Sequence, residues 1–101
     1  MASGTIQNYA KKRSLGTAVN IIGYTSTEYT APSDGYVRLS CTARTQAFIT
    51  LYVDGAYMLR AMGVDNAQAD LVALFVHKGA KLKVAYDGLG VTHEASFIPL
   101  V

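Results

Sequence analysis

Histidine and cysteine are the side chains best suited to metal or nucleophilic chemistry, and the chain contains only His77, His93 and Cys41. A metal site needs three or four converging ligands, which in sequence usually show short characteristic spacings. His77 and His93 are far apart in the sequence, and Cys41 is close to neither. We therefore expect surface or hydrogen-bonded histidines, and neither a metal nor another cofactor.

Patterns typical of catalysis are weak. The chain has no Gly-x-Ser-x-Gly element, and the Gly-Leu-Gly stretch at 88–90 lacks the third glycine of a dinucleotide loop. Asp65 with Asp70, or Asp87 with Glu94, has the chemistry of a glycosidase pair. Seven acidic residues in a small domain form such pairs by chance, and nothing in the sequence indicates a deep cleft. We expect that the protein is not an enzyme.

Polar residues between the apolar runs are better candidates, because loops commonly carry binding residues. The candidate receptor-binding residues are Arg44, Gln46, Asp65, Asn66, Gln68 and Asp87. Their side chains could hydrogen-bond a sugar or a protein receptor. The alternative, that they are simply solvated loop residues, stays open.

Composition indicates one folded domain with a surface poor in charge. Of the 101 residues, 50% are apolar and 16% are charged, which excludes a disordered chain and favours an oligomer. The net charge of +2 is too small to indicate nucleic-acid binding. We interpret the basic triplet at residues 11–13 as part of a solvated arm.

The sequence predicts synthesis in a cytoplasm without membrane insertion. It shows no apolar core of a signal peptide and no run approaching the ~18 apolar residues of a membrane helix. Cys41 as the single cysteine excludes an intrachain disulfide. Because Cys41 shares a predicted strand face with apolar residues, we interpret it as a buried structural thiol.

Apolar runs bounded by turn residues organise the rest of the chain. We interpret residues 1–16 as an arm and residues 17–101 as the domain. Strands are predicted at 18–24, 28–30, 36–42, 47–53, 56–62, 71–76, 81–86 and 93–101. Asp54-Gly55 is the strongest hairpin signal, because both central positions of the favoured turn need a positive φ. The pattern predicts an all-β sandwich or barrel of about eight strands.

Alternating strand directions predict where the connections lie. The longer loops at residues 25–27, 43–46, 63–69 and 87–92 are expected at one end. The tight turns at Asp34-Gly35, Asp54-Gly55 and Lys78-Gly79 are expected at the other. The first end would therefore present the candidate receptor-binding residues.

The hairpin at residues 71–86 has a first arm with excess apolar surface, since residues 71–76 include no polar side chain. We interpret Leu71, Ala73 and Phe75 as core, which leaves the alternate positions to be covered by something else. The predicted subunit interface consists of Val72, Leu74 and Val76, together with Phe48 and Tyr52 on an earlier strand. The alternative is that the N-terminal arm folds back over this face.

Four stretches carry a resemblance to a known family: YTAPSDGYVRLS at 29–40, ITLYVDGAYM at 49–58, LFVHKGAKLKV at 74–84 and SFIPLV at 96–101. In content and order they resemble the small jelly-roll knobs, with tumour-necrosis-factor-like topology, that cap bacteriophage tail fibres, tail needles and tailspikes. The resemblance implies an antiparallel jelly-roll sandwich and a homotrimer. At 101 residues the chain is short for that class.

The expected function is that of a non-enzymatic phage structural protein, a trimeric knob at the tip of a fibre, needle or spike. It would belong to the virion, stabilise that assembly beside other tail proteins and contact a host-surface glycan or protein. Two alternatives stay open. One is a carbohydrate-binding module that works through its distal loops, and the other is a capsid or tail decoration subunit held by residues 1–14.

Overall fold

The computed structural model describes residues 14–42, 47–63, 70–87 and 92–101. These residues form eight strands and no helix. The strands are β1 (Val19–Asn20), β2 (Tyr29–Thr30), β3 (Gly35–Thr42), β4 (Ala47–Val53), β5 (Ala56–Gly63), β6 (Asp70–Val76), β7 (Lys81–Asp87) and β8 (Thr92–Pro99). The predicted all-β class is confirmed.

The strands form two antiparallel sheets of four. Sheet 1 has the order β1-β8-β3-β6, and sheet 2 has the order β2-β7-β4-β5. The pairs are nested, since β1 pairs with β8, β2 with β7, β3 with β6 and β4 with β5. This winding is that of a jelly roll, in which two facing sheets enclose one core.

Every second side chain of β3 and β4 points into that core, because successive side chains of a strand point to opposite faces. Val37, Leu39 and Cys41 of sheet 1 are fully buried, and they face Ile49 and Leu51 of sheet 2 within one cluster. The interpretation of Cys41 as a buried thiol is confirmed.

The structure reverses the predicted faces of β6. Val76 is 4% exposed, and Val72 and Leu74 pack against the core. Leu71 and Phe75 are instead 60% and 40% exposed. The prediction that Leu71, Ala73 and Phe75 fill the core is therefore wrong, and so is the assignment of Val72, Leu74 and Val76 to a subunit interface.

The pairing of β6 with β3 explains this reversal. Val37 lies opposite Leu74, and Leu39 lies opposite Val72. Because Val37 and Leu39 point into the core, their partners on the neighbouring strand do the same. Because residues 71–76 are all apolar, the sequence alone does not show which face of this strand points into the core.

β1 is much shorter than the predicted strand at residues 18–24. The Asn20 Oδ1 accepts a hydrogen bond from the Ile22 N–H at 2.9 Å, and such local bonds compete with strand pairing. The Tyr24 N–H then donates to the Ile21 carbonyl at 3.1 Å, while the Tyr24 carbonyl accepts from the Val84 N–H at 2.9 Å. The chain thus crosses from sheet 1 to β7 of sheet 2.

The tight turns meet at one end of the sandwich, as predicted. Asp54 and Gly55 have φ values of 52° and 82°, which the two-residue hairpin requires. The Asp54 Oδ1 accepts from the Lys81 N–H at 3.0 Å, and the Asp34 Oδ1 accepts from the Lys78 N–H at 2.8 Å. The Asp54 carboxylate therefore links its turn to the start of β7, and the Asp34 carboxylate links its turn to the turn before β7.

Residues 14–16 pair with the end of the chain. The Ser14 N–H donates to the Val101 carbonyl at 3.2 Å, and the Val101 N–H donates to the Ser14 carbonyl at 2.8 Å. The Gly16 N–H donates to the Pro99 carbonyl at 2.7 Å. This part of the predicted arm continues the edge of sheet 1 beside β1.

Candidate binding surfaces

The outer face of sheet 2 carries a row of aromatic side chains. Phe48 and Tyr52 of β4 point outward because the alternate residues Ile49 and Leu51 fill the core. The Asp54–Gly55 turn sets Tyr57 of β5 opposite Tyr52, and their ring centres are 6.4 Å apart in an edge-to-face arrangement.

A β-bulge adds a cation to this row. The pairing of β4 with β5 skips Met58, so that Arg60 lies opposite Thr50. Regular pairing from the turn would put Leu59 at that position and direct Arg60 inward. The bulge therefore places Arg60 on the same outer face as Tyr57.

Three contacts hold the Arg60 side chain. Its Cζ lies 4.5 Å from the ring centre of Phe48 and 5.6 Å from that of Tyr57. Its Nε donates to the Thr50 Oγ1 at 3.0 Å. No carboxylate among the described residues forms a salt bridge with Arg60. A guanidinium has five N–H donors, so four of them have no partner among the described residues and are available to a ligand.

A polar depression of about 700 Å³ adjoins this row. Residues 25–28 line one side, and Tyr52, Lys83 and Ala85 line the other. The polar side chains of the depression belong to Thr25, Ser26, Thr27, Glu28, Tyr52 and Lys83. We call Phe48, Tyr52, Tyr57 and Arg60, together with this depression, the sheet-2 platform. Its volume is typical of ligand sites.

The position of residues 25–27 corrects the sequence prediction. They were expected at the end that carries the longer loops. They lie instead beside Tyr52, Gly55 and Lys83, close to the tight turns. The reason is the backbone bond between Tyr24 and Val84, which brings this segment alongside β7.

Exposed apolar side chains of β3 and β6 cluster on the outer face of sheet 1, where the exposed Arg38 lies opposite Ala73 among them. Tyr36 of β3 and Phe75 of β6 are each 40% exposed, and their ring centres are 5.5 Å apart, edge to face. Leu71 is 60% exposed and lies on the same side of β6, with the exposed Ala73 between it and Phe75. We call Tyr36, Leu71, Ala73 and Phe75 the sheet-1 patch. Clusters of this kind commonly mark contact surfaces.

Most of the predicted receptor-binding residues lie outside the described residues, namely Arg44, Gln46, Asp65, Asn66 and Gln68. Asp87 is described, and it ends β7 opposite Phe48. Asp87 is thus at the margin of the sheet-2 platform. Phe48 and Tyr52, predicted for a subunit interface, are half-buried members of the same platform.

The two histidines have separate surroundings. The His77 Nδ1 lies 3.9 Å from the Asp34 Oδ1. The His93 Nε2 lies 3.0 Å from the Asp87 carbonyl oxygen, and its ring packs against Tyr86. Across residues 14–42, 47–63, 70–87 and 92–101, no three or more His, Cys, Asp or Glu side chains are grouped to hold a metal ion. Nor does any helix in those ranges have the length and apolarity to cross a membrane.

Sequence reasoning missed Tyr57 and Arg60 as site residues. Tyr57 has a usable signal, because a two-residue Asp54-Gly55 turn implies that it lies opposite Tyr52. Arg60 has none, since its outward direction depends on the bulge at Met58, which no residue pattern marks.

Comparison of the chain with protein-family models finds no match, and comparison with curated proteins finds none either. The features of the chain that bear on function are the geometry of the two outer sheet faces and the motifs within them.

Proposed function

We propose that the chain is a non-enzymatic structural domain of a bacteriophage particle. It is a knob of tumour-necrosis-factor-like topology that assembles as a homotrimer at the tip of a tail fibre, needle or spike. The observation that carries the proposal is the sheet-1 patch, whose large apolar side chains are exposed in the single chain. Contact with a second copy removes them from water.

The motifs that carry the family resemblance supply two of the four residues of this patch. YTAPSDGYV supplies Tyr36 and the turn residue Asp34, and LFVHKG supplies Phe75. The two motifs meet where Tyr36 lies opposite Phe75 in the β3–β6 pairing. The resemblance therefore includes the aromatic pair at the centre of the proposed interface, Tyr36 and Phe75.

The free energy gained by burying the patch favours a closed ring of three subunits. Complete burial of a large apolar side chain contributes about 1.5–3 kcal/mol, and Tyr36, Leu71 and Phe75 are each partly buried before association. A closed ring of three subunits makes the same contact three times. Subunit association of this kind supports a trimer at low protein concentration.

The trimer stabilises the tip of the particle and leaves other surfaces to contact the host. The sheet-2 platform lies on the sheet that does not carry the patch. Receptor contact by this face is compatible with the assembly.

Replacing Leu71 tests the interface directly. We expect Leu71→Lys to dissociate the trimer, because a charge at a residue that is 60% exposed in the single chain becomes costly only when a subunit covers it. Leu15→Lys is the matched control, since Leu15 is 58% exposed and lies outside the patch. Native mass spectrometry should give a monomer for the first variant and a trimer for the second. A Leu71→Lys protein that remains trimeric would exclude this interface.

A further inference from the structure

Arg60 is a surface cation whose guanidinium is held in place by three contacts. Its guanidinium stacks over Phe48 and Tyr57, and its Nε bonds to Thr50, which is 1% exposed. Ligand binding therefore costs Arg60 little side-chain entropy. A guanidinium fork also matches the two oxygens of a carboxylate, and pairs of this type are stronger than neutral hydrogen bonds.

The rings beside Arg60 offer an apolar surface for a second part of the same ligand. Tyr57 is 56% exposed, and Tyr52 borders the polar depression. Aromatic side chains present an apolar body with a polar tip. They suit a molecule that has an apolar C–H face and a polar rim, as a sugar ring has.

The depression supplies both donors and acceptors. Lys83 donates, Glu28 accepts, and the hydroxyls of residues 25–27 do either. Sugar hydroxyls likewise donate and accept. The net charge of +2 attracts a polymer that carries a phosphate at every unit only weakly.

We infer that the sheet-2 platform binds an acidic saccharide of the uronic-acid type. Its carboxylate pairs with Arg60, its ring packs against Tyr57 and Tyr52, and the hydroxyls of a neighbouring unit enter the depression. The inference deepens the receptor contact of the proposed function. It does not depend on the trimer, because it uses sheet 2 and not the sheet-1 patch.

Calorimetry of the full chain with a defined oligogalacturonate tests the site, and the fully methyl-esterified oligosaccharide serves as the neutral probe. We expect the acid to bind and the ester to bind at least about tenfold more weakly, because charge-assisted hydrogen bonds are lost. Arg60→Ala should weaken binding of the acid by about tenfold to a hundredfold. Arg60→Lys should give an intermediate loss, since it keeps the charge but not the fork.

Lys78→Ala is the matched control for lost charge, because Lys78 is an exposed cation in the turn after β6 and outside the platform. It should leave the affinity unchanged. Equal affinity for acid and ester, or an equal loss in Arg60→Ala and Lys78→Ala, would overturn the inference. So would equally tight binding of polyglutamate or of a single-stranded oligonucleotide.

The same samples separate this inference from the proposed assembly. A trimer that does not bind oligogalacturonate contradicts the saccharide site and leaves the assembly standing. A monomer that binds it contradicts the assembly and supports the site.

Discussion

Thr50 and Arg60 show how single residues turn a sheet face into a site. Thr50 points away from the core but is 1% exposed, because neighbouring side chains cover it. A covered hydroxyl without a partner would be costly, and the Arg60 Nε at 3.0 Å satisfies it. Thr50 is therefore a positioning residue that fixes the direction of the Arg60 guanidinium.

Gly35 is a second residue whose type is dictated by its neighbours. A Cβ built there would press against the Ile98 carbonyl oxygen and lie 2.8 Å from two ring atoms of Phe97. The close packing of β3 against β8 at this point requires a residue without a side chain.

Gly35→Ala should lower the free energy of unfolding by about 2 kcal/mol or more, because the added methyl group meets backbone and a buried ring. Gly23→Ala is the control, since no atom lies within 4 Å of its added Cβ, and it should change stability by less than about 0.5 kcal/mol. Urea denaturation at one fixed protein concentration measures both. Similar midpoints for the two variants would contradict the packing described at Gly35.

At the scale of elements, the sequence predicts strands better than faces. The limits of β4 agree with the prediction, and the Asp54-Gly55 turn forms as expected, because both depend on local residue types and local φ preferences. The faces of β6 depend on pairing with β3, which local pattern does not contain.

The candidate site likewise contains some residues that the sequence indicates and others that only the fold brings there. Phe48 and Tyr52 stand out in sequence as excess aromatics on an outer face, and the structure places them there. Arg60 joins them only through the bulge at Met58, and residues 25–28 join them only through the crossing between sheets. Both are tertiary features that sequence periodicity does not reveal.

Charge substitutions on β6 test the face assignment. Val76→Lys should reduce stability by more than about 3 kcal/mol, because Val76 is 4% exposed and the charge would be buried without a partner. Leu71→Lys should retain the far-ultraviolet circular dichroism spectrum of the wild type. The opposite result, a folded Val76→Lys and an unfolded Leu71→Lys, would restore the faces that the sequence predicted.

At the scale of the whole molecule, the jelly roll separates two outer faces of different chemistry. Sheet 1 presents the large side chains Tyr36, Leu71 and Phe75 with a single cation, Arg38, beside them on β3. Sheet 2 presents aromatic rings, a fixed guanidinium and a polar depression. Two sheets packed face to face point their outer faces in opposite directions. Subunit association on one face and ligand binding on the other can therefore occur together.

The mass of the wild-type protein in solution tests the proposed assembly most directly. Sedimentation velocity at micromolar concentration should give one species of about three times the 10.8 kDa chain mass, because three copies of the sheet-1 patch close into a ring. Leu71→Lys should shift that species to the monomer mass while Leu15→Lys leaves it in place. A wild-type protein that sediments as a monomer at this concentration would contradict the trimeric knob.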